Sequence, residues 1–335
     1  MVNNLSKESG VTRKNYIFSD EIKHALKALT RLDNFHGPLA VLEDYFVIGC
    51  AIAAFLISPY FYPVSVLLIG SRQRALATIL HESAHKTLTK NRPLNYLLGT
   101  TFSGHLIFQM FEPYFRSHVL KHHRNLGDPT TDPDLIFHLS EGLYSEPSRK
   151  KFMWNFLVKP WLFLNITKQI TYVFNARVRP RTAAQSPTYR SELFRFLILW
   201  IAISILLTVS GTWLELLLLW VIPYLTAFQA INWYCELSEH FPMPNSKAID
   251  IYMTRNRFSP MWERFFFGIH GENYHLEHHL HPGIPFWNLA AANAERRKDE
   301  HYDRLNSDMG GLLVRSRTGS PSAVSRILES VQKGT

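Results

Sequence analysis

YFVIGCAIAAFLISPYFYPVSVLLIG, residues 45–70, is a run of 26 residues without a charged side chain. Pro59 and Pro63 bracket a predicted turn within it, so that one apolar helix covers about residues 39–58 and a second about residues 63–88. Each helix approaches the ~20 residues that a helix needs to cross a bilayer. The run therefore predicts a transmembrane helical hairpin, with a buried hairpin of a soluble protein as the alternative.

A second apolar hairpin lies in the later half of the chain. Residues 196–214 and 216–233 carry no charge and are separated by a break at Ser210-Gly211-Thr212, which predicts spans at about 194–210 and 212–233. The outer turns of both hairpins lack Lys and Arg, whereas basic residues crowd the segments before, between and after the hairpins. This positive-inside pattern predicts a multi-pass protein of the bacterial inner membrane or endoplasmic reticulum, with both termini cytoplasmic.

The second predicted span contains two arginines, Arg72 and Arg74. A charge inside the bilayer is costly unless it reaches the membrane surface or meets a buried partner. The sequence therefore predicts one of these two arrangements for Arg72.

The resulting prediction is an all-α integral membrane protein with four spans in two hairpins and a cytosolic helical cap that holds a histidine-rich di-metal site. Residues 1–38 form the expected cytosolic N-terminal segment, residues 39–292 the membrane domain, and residues 293–335 a partly disordered cytosolic tail. The chain contains only two cysteines, Cys50 and Cys235. Two cysteines exclude a cysteine-ligated iron–sulfur cluster within the chain and a disulfide framework.

Eight of the 16 histidines fall in three clusters, which we call boxes one, two and three. The boxes are His81-Glu82-Ser83-Ala84-His85, His118-Val119-Leu120-Lys121-His122-His123 and His275-Leu276-Glu277-His278-His279. Each box holds a pair three or four residues apart, which a helix places on one face. A catalytic zinc takes three protein ligands, so eight imidazoles are too many for one zinc and suit two metal ions. Chance clustering on solvated helix faces is the alternative.

Polar residues near the boxes are candidates for holding the imidazoles in position. A carboxylate that accepts a hydrogen bond from a ligating histidine fixes the orientation and tautomer of the ring. The candidate carboxylates are Glu82, Asp128, Asp132, Asp134, Glu239 and Glu277. Asn232 and Asn273 are candidates for holding a water at the metal, and His270 for a supporting contact. A solvated surface role is the alternative for each acid.

The three boxes resemble the signature of the membrane fatty acid desaturase and hydroxylase superfamily, whose pattern is H-x(3,4)-H, H-x(2,3)-H-H and H/Q-x-x-H-H. His81, His85, His118, His122, His123, His275, His278 and His279 fill all eight positions. The residues around box three, Asn273-Tyr274 and Leu280-His281-Pro282-Gly283, also resemble one form of the family pattern, in which an aromatic residue is usual at the place of His281. The resemblance implies a non-haem centre of two iron ions with O2 as co-substrate. It also implies a ninth ligand after the last span, where His240 stands.

The same resemblance implies an O2-dependent fatty acid desaturase-like oxidoreductase acting on an acyl chain or similar lipid. Hydroxylation on the same scaffold is the alternative, because both reactions begin by removing hydrogen from an unactivated C–H bond. No cytochrome b5 domain is fused to the chain, so electrons are expected from a separate ferredoxin or cytochrome b5 with its reductase. The formal net charge of +9 suits an acidic carrier or anionic lipid headgroups. A nucleic-acid partner is not expected, because the basic residues already follow the membrane pattern.

Box one also matches the H-E-x-x-H pattern of a zinc metalloprotease, with Glu82 as the general base. That alternative leaves boxes two and three without a role. A non-enzymatic metal carrier is a further alternative, and it would need no hydrophobic substrate.

Overall fold

The computed structural model describes residues 14–146, 148–164, 166–178, 186–242 and 249–332. The first thirteen residues of the predicted N-terminal segment and the last three of the predicted tail lie outside the described residues. Within the described ranges the regular elements are helices, and a single β-bridge joins Lys14 and Ile249. The predicted all-α class is confirmed.

The elements follow one another along the chain as a succession of long and short helices. The α-helices are α1 (Asp20–Ala28), α2 (His36–Ile57), α3 (Tyr62–His85), α4 (Arg92–Thr100), α5 (Phe111–Tyr114), α6 (Pro133–Ser140), α7 (Arg149–Phe152), α8 (Ile166–Val173), α9 (Pro187–Ser210), α10 (Trp213–Leu216), α11 (Gln229–His240), α12 (Met261–Phe267), α13 (His275–Leu280), α14 (Leu289–Arg296), α15 (Glu300–Ser307) and α16 (Ala323–Gln332). The π-helical segments are Phe115–His122, Met153–Val158, Phe174–Val178, Leu217–Val221 and Tyr224–Phe228. Short 3-10 turns cover Pro59–Phe61, Gly104–Ile107, Asp250–Tyr252, Ile269–Tyr274 and Phe286–Asn288.

The chain divides into two compact units. The hairpin unit comprises residues 33–119 and 160–232, and the tail unit comprises residues 1–32, 120–159 and 233–335. The boundary between them falls inside box two, after Val119.

The hairpin unit is built on α2 and α3, which pack against each other. Ser65 of α3 donates its hydroxyl hydrogen to the Ala51 carbonyl of α2 at 2.8 Å. Gly70 of α3 lies so close to Ala227 that a Cβ on Gly70 would stand 2.5 Å from the Ala227 Cβ. A larger residue at position 70 would force the two backbones apart, so glycine is required there by close packing.

Three helical stretches have the length and composition to cross a membrane, namely His36–Ile57, Pro187–Ser210 and Trp213–His240. They indicate a membrane protein. Three of the four predicted spans coincide with these stretches, and the remaining one corresponds to α3. This helix is more polar, and nearly all of it from Ile69 to Ala84 is buried within the protein.

Of the two arrangements predicted for Arg72, the structure has the buried partner, which is Asp44 of α2. The Arg72 guanidinium lies 3.4 Å from the Asp44 carboxylate, and the two side chains are 3% and 0% exposed. Because each charge neutralises the other, both can stay buried between α2 and α3. The α3 helix ends at His85, since Lys86 adopts a left-handed backbone conformation with φ of 64°.

The core of the tail unit joins its N-terminal helix to the region around box three. Phe18, Ile22 and Leu26 pack with a group of buried residues from the later part of the chain, which includes Leu276 of α13 and Leu289 of α14. Ser19 begins α1 by accepting a hydrogen bond from the backbone N–H of Ile22 at 3.3 Å. Box three is therefore carried on a short helix whose apolar side is anchored in this core.

Candidate metal centre

The hairpin unit brings three predicted ligands together. His81 and His85 come from the last turn of α3, and His118 comes from the π-helical segment Phe115–His122. One ligand atom of each histidine lies within 4.8 Å of those of the other two. The rings of His81 and His85 are 4.8 Å apart between centroids, as the spacing of four residues on a helix predicts.

Glu82 contacts His81 on the Nδ1 side of the imidazole ring. One carboxylate oxygen lies 3.3 Å from Nδ1 of His81, and the other accepts a hydrogen bond from the Thr87 hydroxyl at 2.9 Å. Both Glu82 and Thr87 are buried. The carboxylate is thus held against a histidine, as an orienting residue should be.

The tail unit brings six predicted ligands together from three parts of the chain. They are His122 and His123 at the end of box two, His240 at the end of α11, and His275, His278 and His279 on α13. Ligand atoms of His122, His240 and His279 all lie within 4.8 Å of one another.

The Nε2 atoms of these histidines face each other. The distances between Nε2 atoms are 2.9 Å for His240 and His275, 3.1 Å for His275 and His279, and 3.2 Å for His123 and His278. Two nitrogens that bind one ion at about 2.1 Å and at a right angle stand about 3.0 Å apart. The donor set consists of imidazoles, which suit iron, and its spacing fits coordination of a metal ion.

His122 is held by two buried carboxylates of the residues that follow box two. Its Nδ1 lies 2.9 Å from Asp132 and 3.2 Å from Asp134. Burial acts to lower the pKa of His122, but the two carboxylates outweigh it and raise that pKa to about 9. The negative charge therefore favours a cation at this imidazole, and a hydrogen bond from Nδ1 to Asp132 turns Nε2 toward the other histidines.

Asp132 also fixes the backbone around it. It begins α6 by accepting from the N–H of Asp134 at 3.1 Å, and it accepts from the N–H of Gly127 at 3.0 Å. Asp128, another predicted acid, instead closes a local turn, since its carboxylate accepts from the N–H and hydroxyl of Thr130. Within the predicted acidic stretch, Asp132 and Asp134 reach a box histidine while Asp128 bonds to Thr130.

Glu239 links His275 to a buried arginine that sequence reasoning missed. One Glu239 oxygen lies 3.6 Å from Nδ1 of His275, and the other accepts from Arg257 at 2.6 Å. Arg257 also donates to the Ser238 hydroxyl and to the Phe267 carbonyl. Arg257 thereby neutralises Glu239 and ties the segment before α12 to the end of α11.

Glu277 has a different role from the predicted one. Its buried carboxylate is bound by Arg296 and Tyr302, by Asn293 at 2.7 Å and by Asn256 at 3.2 Å, and no imidazole of the described residues is among its partners. Glu277 and His278 are neighbours on a short helix and point to different sides of it. Glu277 therefore anchors α13 to the surrounding helices, and Asn256 strengthens this by accepting from the N–H of Leu276 at 3.0 Å.

The remaining candidates occupy supporting positions. Asn273 donates to the Arg257 carbonyl at 3.2 Å, and the His270 ring packs 5.4 Å from that of Phe286. Asn232 lies half-buried on α11 in the hairpin unit. These contacts give Asn273 a place in the backbone network of the tail unit.

The stretch of sequence that carries the three boxes matches a known family. A model of the fatty acid desaturase family matches residues 57–307, which is most of the chain. The chain belongs to this family.

Its relatives include enzymes of bacteria, plants and animals. The chain is 39% identical to dihydrorhizobitoxine desaturase of Bradyrhizobium elkanii, over 93% of this chain and 89% of that enzyme. It is 23% identical to a chloroplastic omega-6 fatty acid desaturase of Spinacia oleracea, over 74% of this chain and 56% of the relative. It is 24% identical to sphingolipid delta(4)-desaturase/C4-monooxygenase of Bos taurus, over 84% of this chain and 79% of the relative. The family and these names support an oxidoreductase and lipid desaturation in general.

Proposed function

We propose that this protein is an O2-dependent membrane desaturase whose nine histidines hold two iron ions and whose electrons come from a separate carrier. The observation that carries the proposal is the grouping of all nine histidines. Three have ligand atoms within 4.8 Å of one another in the hairpin unit. Six lie together in the tail unit, where three pairs of Nε2 atoms are 2.9, 3.1 and 3.2 Å apart. Ordinary surface histidines repel each other when protonated and do not gather in this way.

The balance of the reaction defines what the site must do. Two hydrogens leave adjacent carbons of the substrate, and together with O2, two electrons and two protons they form two molecules of water and a C=C bond. Bound iron would supply the redox chemistry that activates O2. The chain supplies the imidazoles, and the carboxylates of Glu82, Asp132, Asp134 and Glu239 hold those imidazoles in position.

For the membrane topology we propose four spans, with α3 as the second. Three stretches are apolar enough by themselves, and α3 is the partner of α2 in the predicted hairpin. The pairing of Arg72 with Asp44 removes the main objection to α3 as a span. Four spans return the chain to one side of the membrane at boxes one, two and three, which we propose to be cytoplasmic.

We propose that the substrate is an acyl chain or similar lipid, and that a compound of the dihydrorhizobitoxine type is the second candidate. The first follows from the family, and the second from the 39% identity to the Bradyrhizobium enzyme. Hydroxylation is retained as an alternative reaction because the bovine relative is named both a desaturase and a monooxygenase.

The deciding experiment expresses the protein in a host that lacks such an enzyme and supplies ferredoxin with its reductase. Mass spectrometry would follow the membrane lipids and added dihydrorhizobitoxine. A product lighter by two hydrogens identifies desaturation, and a product heavier by one oxygen identifies hydroxylation. The control is His279→Ala, which removes a buried ligand of the tail unit and should abolish the product while expression persists.

Measurement of bound metal separates the remaining alternatives. Two irons per chain and a product that requires O2 are expected. One zinc per chain with oxygen-independent peptide cleavage would identify the protease instead, and freely exchangeable metal without turnover would identify a carrier. Replacing any one of the eight box histidines by Ala should abolish turnover, and near wild-type activity in two such variants would contradict the ligand assignment.

A further inference from the structure

A cavity of about 770 Å³ lies in the tail unit, apart from the histidines. Four arginines line it, namely Arg264 of α12, Arg297 after α14, and Arg315 and Arg317 of the loop that precedes α16. No Asp or Glu is among the described residues that line it. Four cations around one cavity, with no acid in its wall, create a strongly positive concave surface.

The arginines are largely available to a ligand. Arg264, Arg315 and Arg317 are exposed and form no ion pair with another residue that the structure describes. Arg297 lies 2.5 Å from Asp303, an exposed contact that leaves part of its guanidinium directed at the Ser307 hydroxyl. The charges of Arg264, Arg315 and Arg317 are therefore not balanced by an ion pair among the described residues, and an anion in the cavity would compensate them.

The loop that carries Arg315 and Arg317 is fixed by hydrogen bonds to Glu263. The buried Glu263 carboxylate accepts from the backbone N–H groups of Leu312, Leu313 and Val314, each at 2.8 Å. The chain then turns between Ser316 and Ser320, with the Ser316 N–H donating to the Ser320 carbonyl at 3.0 Å. The two arginines therefore extend from a fixed backbone, which lowers the entropic cost of binding.

The remaining lining residues indicate the kind of anion. The Ser259 hydroxyl can donate a hydrogen bond, as can one of the Ser316 and Thr318 hydroxyls, which are bonded to each other. Met261 and Val314 form an apolar part of the wall. Guanidinium forks and hydroxyls match the oxygens of a phosphate group better than those of a single small halide. The apolar part suits a phosphate that is attached to a hydrocarbon group.

Exposed apolar residues stand beside the cavity. On α12, Met261 and Trp262 are 79% and 50% exposed, and Leu313 of the loop is 44% exposed. Apolar and aromatic side chains next to arginines are typical of surfaces that meet lipid headgroups. We propose that this cavity binds a phosphate group, and that the phosphate is carried by a membrane lipid.

The inference does not depend on the reaction proposed above, because it rests on the arginines and not on the histidines. The cavity wall is adjacent to box three in sequence, since Asn273 and Tyr274 line the cavity and box three begins at His275.

The test uses the full chain purified in phosphate-free detergent, and binding is measured by titration calorimetry with dioctanoyl phosphatidic acid. The matched ligand is dioctanoylglycerol, which has the same acyl chains and no phosphate. The wild type should bind the phosphatidic acid at least tenfold more tightly than the diacylglycerol. Arg315→Gln/Arg317→Gln should weaken that binding at least tenfold, because two charge-assisted contacts are lost.

The control variant is Lys23→Gln/Arg304→Gln, which removes the same net charge from exposed positions outside the cavity. It should bind phosphatidic acid within twofold of the wild type. Arg264→Gln lies on α12 rather than on the loop, and it should also weaken binding of the phosphatidic acid. It tests the proposal independently in case the loop variant does not fold.

Inorganic phosphate distinguishes the source of the group. Competition only at far higher concentration than the lipid supports a membrane phospholipid, and competition at a similar concentration supports a free phosphate compound in the same cavity. Unchanged binding in the Arg315/Arg317 variant, or equal binding of the diacylglycerol, would overturn the proposal. The proposal would also be overturned if Arg315→Gln/Arg317→Gln lost ferredoxin-supported turnover but still bound the phosphatidic acid as the wild type does. The arginines would then serve to dock an acidic protein.

Discussion

Arg296 is the residue whose replacement should most clearly show how box three is held. It forms an ion pair with Glu277 in which the two side chains are 2% and 0% exposed. Replacing Arg296 by Met keeps an apolar stem of similar length but leaves the Glu277 carboxylate buried without a cation. Removing one partner of a buried ion pair costs about 3–5 kcal/mol. Tyr302, Asn256 and Asn293 still donate to Glu277, so we expect the lower end, about 3 kcal/mol.

The neighbouring arginine offers a matched control. Arg297 lies 2.5 Å from Asp303, but the side chains of this pair are 40% and 41% exposed. An ion pair in water contributes about 0–1 kcal/mol. Arg297→Met therefore makes the same chemical change one residue away and should have little effect on stability.

Hydrogen exchange of the backbone amides of α13 measures the difference directly. Since about 1.4 kcal/mol corresponds to a factor of ten, Arg296→Met should speed exchange in this helix about 100-fold, and Arg297→Met less than tenfold. Desaturase turnover should fall with Arg296→Met, because α13 carries three of the histidines. Adding Glu277→Gln to Arg296→Met removes the uncompensated charge and should recover part of the protection. Equal exchange in the two single variants would refute the reasoning, and no recovery in the double variant would show that packing rather than charge is responsible.

Three further predictions concern the residues behind the ligands and the topology. Asp132→Asn keeps the helix cap but weakens the contact that orients the His122 imidazole. It should lower metal affinity about 10–100-fold, measured by competition with a chelator, and unchanged affinity would show that Asp132 does not support the site. Glu82→Gln should lower turnover about 10–100-fold without abolishing it, whereas complete loss together with bound zinc would favour the protease. Single cysteines at Tyr60 and Gly211 should react with an impermeant reagent from outside and one at Ser320 only after permeabilisation, and labelling of Ser320 in intact cells would overturn the proposed orientation.

Local patterns made much of this protein predictable. The spacing in box one reports helix geometry directly, so the approach of His81 to His85 followed from four residues of sequence. The apolar runs likewise predicted the α2 helix and the long helices of the second hairpin, since a continuous apolar stretch needs no tertiary information to be recognised.

Other features depend on residues that meet only in the folded chain. Arg257 and Glu239 are ordinary charged residues in the sequence, and only their 2.6 Å contact shows that one neutralises the other. Arg72 is similar, because its partner Asp44 lies on the preceding helix and just outside the charge-free run. Box two also runs as a π-helix, which an assumed α-helical spacing does not reveal.

Glu277 shows why residue type and position in a motif are insufficient to assign a role. It lies between two ligands in sequence, which favours a contact with an imidazole. A helix of six residues has several sides, however, and the histidines of α13 take one of them. The other side faces Arg296 and Tyr302, and a buried carboxylate there is stabilised only because these donors surround it.

The carboxylates that support the tail-unit histidines differ in how their own charge is balanced, and they therefore have different roles. Glu239 is neutralised by the buried Arg257, so that the pair adds little net charge beside His275 and mainly fixes the geometry of α11. Asp132 is held by the backbone N–H groups of Gly127 and Asp134, which orient it without cancelling its charge. Its negative charge therefore remains effective at His122 and favours a cation there. A substitution at Asp132 should consequently act on metal affinity, whereas one at Glu239 leaves a buried arginine uncompensated and should act on folding.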